Sequence, residues 1–391
     1  MDKSRHVVVM AREQFFMRHN WQLKKCGICQ ENYYTKRNLP NCGSYKCSGQ
    51  CYVFRDIPAP KNYLELEEYT TRFHDFFSCR GYSIHPPNQI GRMEERTLFA
   101  STAGQIYDNL IFGADVSLSS RCAVQQPVIR LQGINDIDLM EGISTSFLHT
   151  ATEMWNPGII DHYIAFDNWL DYLSSLGLYV GDLCFKTKEA INDWSGNAVT
   201  SEMLKINYGG LEIGIANFFL DIPQPNNTIA TLSDIGVGAE RLIWAINKSS
   251  SYFDSIGPVS YVIILKRMIL DSIRTATLMA SSGVIPDHKN QGFKLRAIIG
   301  RVADQAQCLN FYELVKYYYN QWSMFIDLPI SFERTYSIIW REVNRNLNLK
   351  TNTLFKIDEL PITSHEEYLR KAIQKKVISI SHLWNRKKEN I

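Results

Sequence analysis

This sequence of 391 residues lacks several features that would assign it to a specialised class of protein. It has no internal repeat and no low-complexity tract, and glycine and proline occur at ordinary levels, which argues against repeat and low-complexity classes. No apolar run approaches the roughly 18 residues needed to cross a bilayer. The N-terminal apolar run VVVMA is too short for a secretory signal, so we expect a cytoplasmic protein.

The sequence also has little excess charge. Its net charge at pH 7 is only +2, so no strong overall field would attract nucleic acid. The last 22 residues are locally basic, and a solvated helix end is favoured there over a nucleic-acid patch. Apolar residues make up 45% of the chain, enough for a sizeable core, and the length predicts two or three domains.

Cysteine is present in an odd number, nine, which argues against a disulfide framework. Cys26 and Cys29 form a Cys-x2-Cys pair, and Cys42 and Cys47 form a second pair with four residues between them. Four thiolates on two turns match a structural Zn²⁺ site, which is closed and leaves no coordination position for catalysis. The alternatives are reduced cysteines without a metal, and Cys51 in place of Cys47 as the fourth ligand.

Hydrophobic periodicity predicts a mixed fold. Strands are predicted at 122–131, 142–155 and 209–222, with helix an alternative for the second. Helices are predicted at 62–80, 159–177 and 260–281, and after a break at GVIPDHKNQG more helix is predicted to about residue 325. The connections look antiparallel, so we predict an α+β fold, an antiparallel sheet flanked by helices and followed by a helical domain. The predicted domains are an N-terminal segment with a zinc knuckle (1–60), a catalytic domain (61–255) and a helical domain with a basic tail (256–391).

The segment QQPVIRLQGINDIDLMEGISTSFLHTATEMWN is suited to binding a nucleotide. Arg130 ends an apolar strand, and a returning stretch brings back His149 and Glu153. A strand–loop–strand of this kind can clamp a nucleotide, with the arginine against the α-phosphate and the returning arm facing the base. A core strand with an incidental arginine is the alternative.

A second segment, DIGVGAERLIWAI, joins an acidic residue to a glycine-punctuated turn and a helix. Gly236 and Gly238 allow the backbone to approach a ligand closely, and Arg241 is a fixed cation at the helix entrance. Asp234 is an anion placed to hold an ammonium group. A Gly-x-Gly turn before a helix is common, so the signal gains weight only from the arginine segment about a hundred residues upstream.

In this order the two segments resemble motifs 2 and 3 of class II aminoacyl-tRNA synthetases, and the helix with Phe76 and Phe77, followed by Gly81 and Pro86, resembles motif 1. In detail the sequence is similar to alanyl-tRNA synthetases, especially of the archaeal type. The cysteine-bearing N-terminus, the segment DWSGNAVTSEMLKINYGGLEIG and the segment DSIRTATLMASSGVIPDHKNQGFKLRAIIGRV share in the resemblance, which covers roughly residues 15–320.

The resemblance implies that ATP and a small amino acid are joined into an aminoacyl-adenylate, usually with Mg²⁺. Arg130 would bind the α-phosphate and Arg241 the far end of the nucleotide, both as catalytic residues, and Glu153 would support the adenine. The residues implied for the ATP site are Arg130, His149, Glu153, Gly238 and Arg241. The residues implied for the amino-acid site are Asp234, Gly236, Trp194 and Asn197. Small residues near the expected pocket favour alanine, glycine or serine, and these are Ala198, Gly214 and Ala216.

Departures from the family pattern bear on activity. The returning arm reads Phe147, Leu148, His149 and Thr152, where the family has an arginine, histidines and an aromatic residue. The helical segment retains only Lys294, Arg296 and Arg301 of the basic face that would meet tRNA, which should weaken tRNA binding. The sequence also ends where the family continues into further domains, and it contains no His-x3-His pattern of an editing module.

Three hypotheses follow. The leading one is an adenylating enzyme, a free-standing paralogue of the alanyl-tRNA synthetase core that passes a small amino acid to a non-standard acceptor in specialised biosynthesis. That acceptor would be a small molecule, peptide or carrier protein rather than tRNA. The second is a minimal aminoacyl-tRNA ligase that supplies a tRNA-dependent pathway. The third is a non-catalytic pseudo-synthetase acting as a sensor or scaffold.

Overall fold

The computed structural model describes residues 3–49, 52, 54, 57–91, 97–108, 120–194, 196–224, 228–258 and 266–357. Contacts divide the chain into two compact units, Met1–Ile263 and Ile264–Ile391. The predicted division at residues 60 and 255 stays a prediction, and the predicted basic tail lies outside the described residues. No helix within the described ranges is long and apolar enough to cross a membrane.

A nine-stranded sheet forms the centre of the first unit, with spatial order β1-β2-β6-β7-β8-β9-β5-β4-β3. The strands are β1 Gln22–Lys25, β2 Asn32–Thr35, β3 Ser83–His85, β4 Arg121–Ile129, β5 Ser146–Trp155, β6 Leu183–Trp194, β7 Asn197–Tyr208, β8 Leu211–Pro223 and β9 Ile229–Gly238. All neighbours are antiparallel except β3 and β4, which pair in parallel. The predicted α+β class is confirmed, and the stretch 142–155 contains a strand rather than a helix.

Helices accompany the sheet in the first unit and make up the second. Those of the first unit are α1 Lys3–Arg18, α2 Tyr45–Ser48, α3 Leu66–Ser78, α4 Ile159–Ser175 and α5 Ala239–Asn247. Those of the second unit are α6 Arg267–Ser281, α7 Asn290–Ala306, α8 Phe311–Ser323 and α9 Phe332–Ile357. The long helix predicted from residue 260 begins at Arg267, and residues 259–265 lie outside the described part of the chain.

One face of the sheet is covered by α3 and α4. Helix α3 buries Leu66, Tyr69, Phe73 and Phe77, which recur at helical spacing. Polar contacts fix both helices to the sheet, because the Tyr69 hydroxyl meets Thr150 and the Trp169 indole donates to Thr152 Oγ1 at 2.7 Å. Alternation along β5 directs Thr150 and Thr152 toward these helices. Residues at the odd positions therefore face the opposite side, where the candidate site lies.

The N-terminal segment contributes to the same sheet. Strand β2 pairs with β6 through Tyr33 and Lys186, and β1 adds one further strand at the edge. Phe16 of α1 stacks on Tyr34 of β2, with ring centroids 3.9 Å apart. The cysteine segment is thereby fixed to the body of the first unit rather than attached as a separate module.

Candidate active site

A cavity of about 280 Å³ opens on the side of the sheet opposite α3 and α4. Its walls come from the 130–144 loop, from β5, β8 and β9, and from the start of α5. Six predicted site residues line it together: Arg130, His149, Asp234, Gly236, Gly238 and Arg241. The other three predicted residues, Glu153, Trp194 and Asn197, are not part of its lining. The two sequence segments therefore meet at one place, although about a hundred residues separate them.

Two arginines from different segments face this cavity. Arg130 donates from Nε to the Ser101 carbonyl oxygen at 2.8 Å, and its guanidinium lies 5.1 Å from the centroid of the Phe147 ring. Arg241 donates to the carbonyl oxygens of Gly142 at 2.6 Å and Glu212 at 3.1 Å. Burial and the neighbouring charge of Arg241 lower the pKa of Arg130. Two cations held close together in a cavity suit a polyphosphate, which would relieve their mutual repulsion.

His149 is held as a neutral ring against Gly236. Its Nδ1 accepts a hydrogen bond from the Ala103 amide at 3.1 Å, so the ring proton lies on Nε2. Burial and the charge of Arg130 lower the pKa of His149 to about 3. A Cβ at position 236 would lie 2.8 Å from Nε2, so only glycine allows this approach. His149 is therefore a neutral donor at the cavity wall.

Glu240 joins the returning arm to α5. It is fully buried, and both of its carboxylate oxygens accept from the Leu148 amide at 3.0 Å. This contact fixes the start of α5 against β5, where Gly238 pairs with His149. Arg241, the next residue along, is held in turn at the cavity. The sequence analysis assigns no role to Glu240.

Asp234 and Glu153 form a buried pair of carboxyl groups on neighbouring strands. They are directly opposite each other in the β5–β9 register, and Glu153 is 0% exposed. Burial raises the pKa of both, and the Asp234 charge raises that of Glu153 further, well above its usual range. Hydrogen bonding and the charge of Arg130 oppose the rise for Asp234. Glu153 is therefore the member of the pair that favours the neutral form more strongly, and Asp234 is the one that lines the cavity.

Glu153 lies beside Asp234, at the end of the site implied for the amino acid. Trp194 is close to it, because a Cβ on Gly104 would lie 3.4 Å from Glu153 Oε2 and 3.5 Å from the Trp194 ring. Trp194 donates to Asp108 Oδ1 at 2.9 Å and packs against Phe219. These contacts favour a supporting role for Glu153 and Trp194 behind Asp234. The adenine contact implied for Glu153 stays a prediction, since Glu153 does not line the cavity.

Asn197 and two of the small residues lie away from the cavity. Asn197 opens β7 opposite Trp194, at the tip of the β6–β7 hairpin, and Ala198 follows it there. Ala216 pairs with Ile235 on the helix-covered side of the sheet. Only Gly214 of the three small residues lines the cavity. The expectation that Ala198 and Ala216 shape the pocket is wrong, because strand alternation turns Ala216 to the other face.

Asn217 lines the cavity and was missed by the sequence prediction. It is opposite Asp234 in the β8–β9 register, and its Oδ1 is buried with no hydrogen-bond partner among the described residues. Its place in the apolar run GIANFFL was a usable signal, because a lone amide in a buried strand needs a partner.

The four predicted zinc ligands converge in a separate part of the first unit. The sulfur atoms of Cys26, Cys29, Cys42 and Cys47 all lie within 4.8 Å of one another, and the distance from Cys29 to Cys42 is 3.8 Å. Tetrahedral Zn²⁺ with bonds of about 2.3 Å would place its sulfurs about 3.8 Å apart, so the cluster fits the ion. Cys51 lies outside the described residues.

Contacts in the second unit reduce the number of free cations on its basic face. Arg296 lies 3.4 Å from Glu342, which also pairs with Arg345. Glu342 is 5% exposed, so both arginines are partly neutralised by a buried carboxylate. The sequence already predicts few cations on this face, and an acidic residue of α9 neutralises part of the remaining positive charge.

No protein-family model matches the chain. Among curated proteins, the alanine–tRNA ligase of Saccharolobus islandicus (strain M.14.25 / Kamchatka #1) is 23% identical over 80% of this chain and 42% of the relative. The alanine–tRNA ligase of Sulfurisphaera tokodaii is 23% identical over the same shares, and that of Archaeoglobus fulgidus is 25% identical over 62% and 28%. The solved pyrrolysyl-tRNA synthetase from Desulfitobacterium hafniense covers 56% of this chain and 82% of its own, at 10% identity and a TM-score of 0.34.

The first unit consists of a largely antiparallel sheet with helices on one face and the candidate site on the other. The particular relatives are alanyl-tRNA synthetases, so the resemblance predicted from the motifs is confirmed. The chain spans less than half the length of the first two relatives.

Proposed function

We propose that this chain activates a small α-amino acid with ATP, forming an aminoacyl-adenylate and pyrophosphate. The observation that carries the proposal is the convergence of Arg130, Arg241 and Asp234 on one cavity. Two cations suit the phosphates, and one buried anion suits the ammonium group of the amino acid. The similarity to alanine–tRNA ligases supports the same class of reaction.

In this reaction an oxygen of the amino-acid carboxylate forms a bond to the α-phosphorus while the bond to the pyrophosphate oxygen breaks. Arg130 would neutralise the charge that develops on the α-phosphate, and Arg241 would hold the nucleotide. Asp234 would fix the ammonium so that the carboxylate points toward phosphorus. Neutral His149 could donate from Nε2 without adding charge. Mg²⁺ bound to ATP would supply further neutralisation of the phosphates.

The cysteine cluster would hold one Zn²⁺ as a structural ion. All four ligands are protein thiols, so the ion would have no open position for a substrate. Its part would be to join the two turns at 26–29 and 42–47, which flank β2 in the sequence. A cytoplasmic location accords with reduced thiols and stays a prediction from the sequence.

A non-standard acceptor for the activated amino acid is the leading form of the proposal, and tRNA is the alternative. The pairing of Arg296 and Arg345 with Glu342 supports the first form. The distribution of charge supports the second, since residues 264–391 carry 20 lysines and arginines against 12 aspartates and glutamates, whereas residues 1–263 carry 22 against 28. A basic second unit is the electrostatic footprint of nucleic-acid binding.

Amino-acid-dependent exchange of labelled pyrophosphate into ATP tests the proposal across a panel of the standard amino acids. Exchange that requires one or a few small amino acids is the expected result. No exchange with any of them would favour the third hypothesis, a sensor or scaffold in which Phe147 replaces a catalytic group of the cavity. Binding of labelled tRNA over a salt series then separates the two acceptors, because phosphate contacts give a steep loss of affinity with salt.

A further inference from the structure

Among the polar groups that line the cavity, Asn217 has no part in the reaction described above. Asn217 lies on β8 directly opposite Asp234, on the face of the sheet that lines the cavity. Its Oδ1 atom is buried, with no hydrogen-bond partner in the part of the chain that the structure describes. A buried acceptor without a donor is unfavourable, so a ligand that supplies the donor would be preferred over one that does not.

The orientation of the amide indicates which part of the ligand it meets. Asn217 is paired with Asp234 in the β8–β9 register and its Oδ1 is the atom without a partner, so the NH₂ group is the one that faces the carboxylate. Because the amide is planar, its oxygen points away from Asp234. A ligand whose ammonium is bound at Asp234 therefore presents to Oδ1 a group beyond the ammonium. Because the proposed reaction directs the carboxylate toward the α-phosphorus, that group is the side chain.

The neighbours of Asn217 leave this position to the ligand. Ile215 precedes it on the same face of β8, and Met203 of β7 is its cross-strand partner. Neither side chain carries a hydrogen-bond donor. A group that enters the cavity can therefore supply the donor for Oδ1.

We propose that Asn217 is a specificity-determining residue whose Oδ1 accepts a hydrogen bond from the side chain of the bound amino acid. The preferred ligand is then a small α-amino acid with a hydroxyl or amino group on its side chain, such as serine, rather than alanine. The proposal rests on the proposed function for the role of Asp234, and it narrows the substrate from small amino acids in general to small donor-bearing ones.

Calorimetric titration of the whole chain with matched pairs of amino acids tests this preference directly. Serine should bind at least about tenfold more tightly than alanine, and threonine more tightly than 2-aminobutyrate, because only the hydroxyl member of each pair satisfies Oδ1. Equal affinities within each pair, or tighter binding of alanine, would overturn the proposal.

Two variants separate a side-chain contact from other roles of Asn217. Asn217→Leu keeps the approximate shape and removes both the acceptor and the NH₂ group that faces Asp234, so it should weaken both amino acids but reduce the ratio of serine to alanine affinity to about one. Asn207→Leu is the matched control, since Asn207 is a buried asparagine of β7 whose Oδ1 also lacks a partner but which lies outside this cavity. The control should keep the preference for serine.

The outcomes distinguish this proposal from the proposed function. Equal weakening of serine and alanine by Asn217→Leu, with the ratio of their affinities unchanged, would show that Asn217 acts only through Asp234, which overturns the proposal. A preference for serine that Asn217→Leu abolishes would support it even if no pyrophosphate exchange occurs, in which case only the activation reaction fails. Absence of binding by any amino acid would overturn both.

Discussion

Replacement of Arg130 by alanine tests the proposed contact between this guanidinium and the α-phosphate of ATP. The guanidinium is partly buried at the cavity wall and uses one donor on the Ser101 carbonyl, which leaves its other N–H groups for a ligand. It also lies over the Phe147 ring, which holds its plane in place. Arg241 is less suitable, because its two contacts to backbone carbonyls also fix the 142 loop.

The size of the effect follows from the position of the charge. A guanidinium about 4 Å from a phosphate oxygen contributes about 4 kcal/mol at an effective dielectric constant of 20. Part of this interaction exists in the ground state, and the remaining groups of the site compensate for some of the loss. We expect a loss of transition-state stabilisation of at least about 2 kcal/mol, or about 30-fold in exchange rate.

The assay is amino-acid-dependent pyrophosphate exchange with Arg130→Ala beside the control Arg121→Ala. Arg121 begins the strand that leads to Arg130, but its side chain is half exposed and pairs with Asp161 at 3.9 Å. An exposed pair of this kind contributes at most about 1 kcal/mol to stability, so the control should retain the wild-type exchange rate. Near-normal exchange in Arg130→Ala would refute the assignment of this residue to the phosphate.

Three further predictions concern the remaining features of the first unit. Asp234→Asn should weaken amino-acid binding at least about tenfold and change ATP affinity by less than about twofold in calorimetry; unchanged amino-acid affinity would give Asp234 another role. Elemental analysis should find about one zinc per chain. Cys26→Ser should lose the zinc and several degrees of melting temperature, whereas the control Cys308→Ser, which changes an exposed thiol, should keep both. Well under one zinc in reduced wild-type protein would disprove the site. Burial lowers the pKa of His162 to about 3. As pH falls below about 6.5, this histidine therefore binds a proton in the unfolded chain but not in the folded one. Its contribution should lower the free energy of unfolding by up to about 1.4 kcal/mol per pH unit. Denaturant titrations at pH 7 and 5 should show a smaller loss in His162→Gln than in wild type or in His288→Gln, and equal losses in all three would contradict the assignment.

Local patterns were sufficient for some of the elements that carry the site. The apolar run before Arg130 predicted a strand that the structure contains as β4, whereas the glycine-punctuated turn predicted after Asp234 is wrong, because Asp234 to Gly238 form the end of strand β9. The need for glycine at position 236 also has its physical reason in the structure, since the His149 ring occupies the space of a side chain there. These features depend on neighbours in the sequence or on chemistry that few residue types provide.

Features that depend on long-range register could not be predicted in the same way. The place of Glu153 beside Asp234 arises from pairing between strands about 80 residues apart, and the direction of Ala216 depends on which face of β8 the helices cover. Strands β1 and β2 have only four residues each, and β2 joins a partner at Lys186. No local pattern specifies such partners, because each strand is compatible with several registers until the whole sheet forms.

Direct detection of the aminoacyl-adenylate tests the central claim most closely. Purified protein would be incubated with ATP labelled at the α-phosphate, Mg²⁺ and serine or alanine, without tRNA, and the labelled products separated by chromatography. The account predicts a labelled adenylate, or AMP from its hydrolysis, that requires the amino acid and is reduced at least about 30-fold in Arg130→Ala. Labelled product that forms equally without any amino acid, or no product with any amino acid that binds, would contradict it.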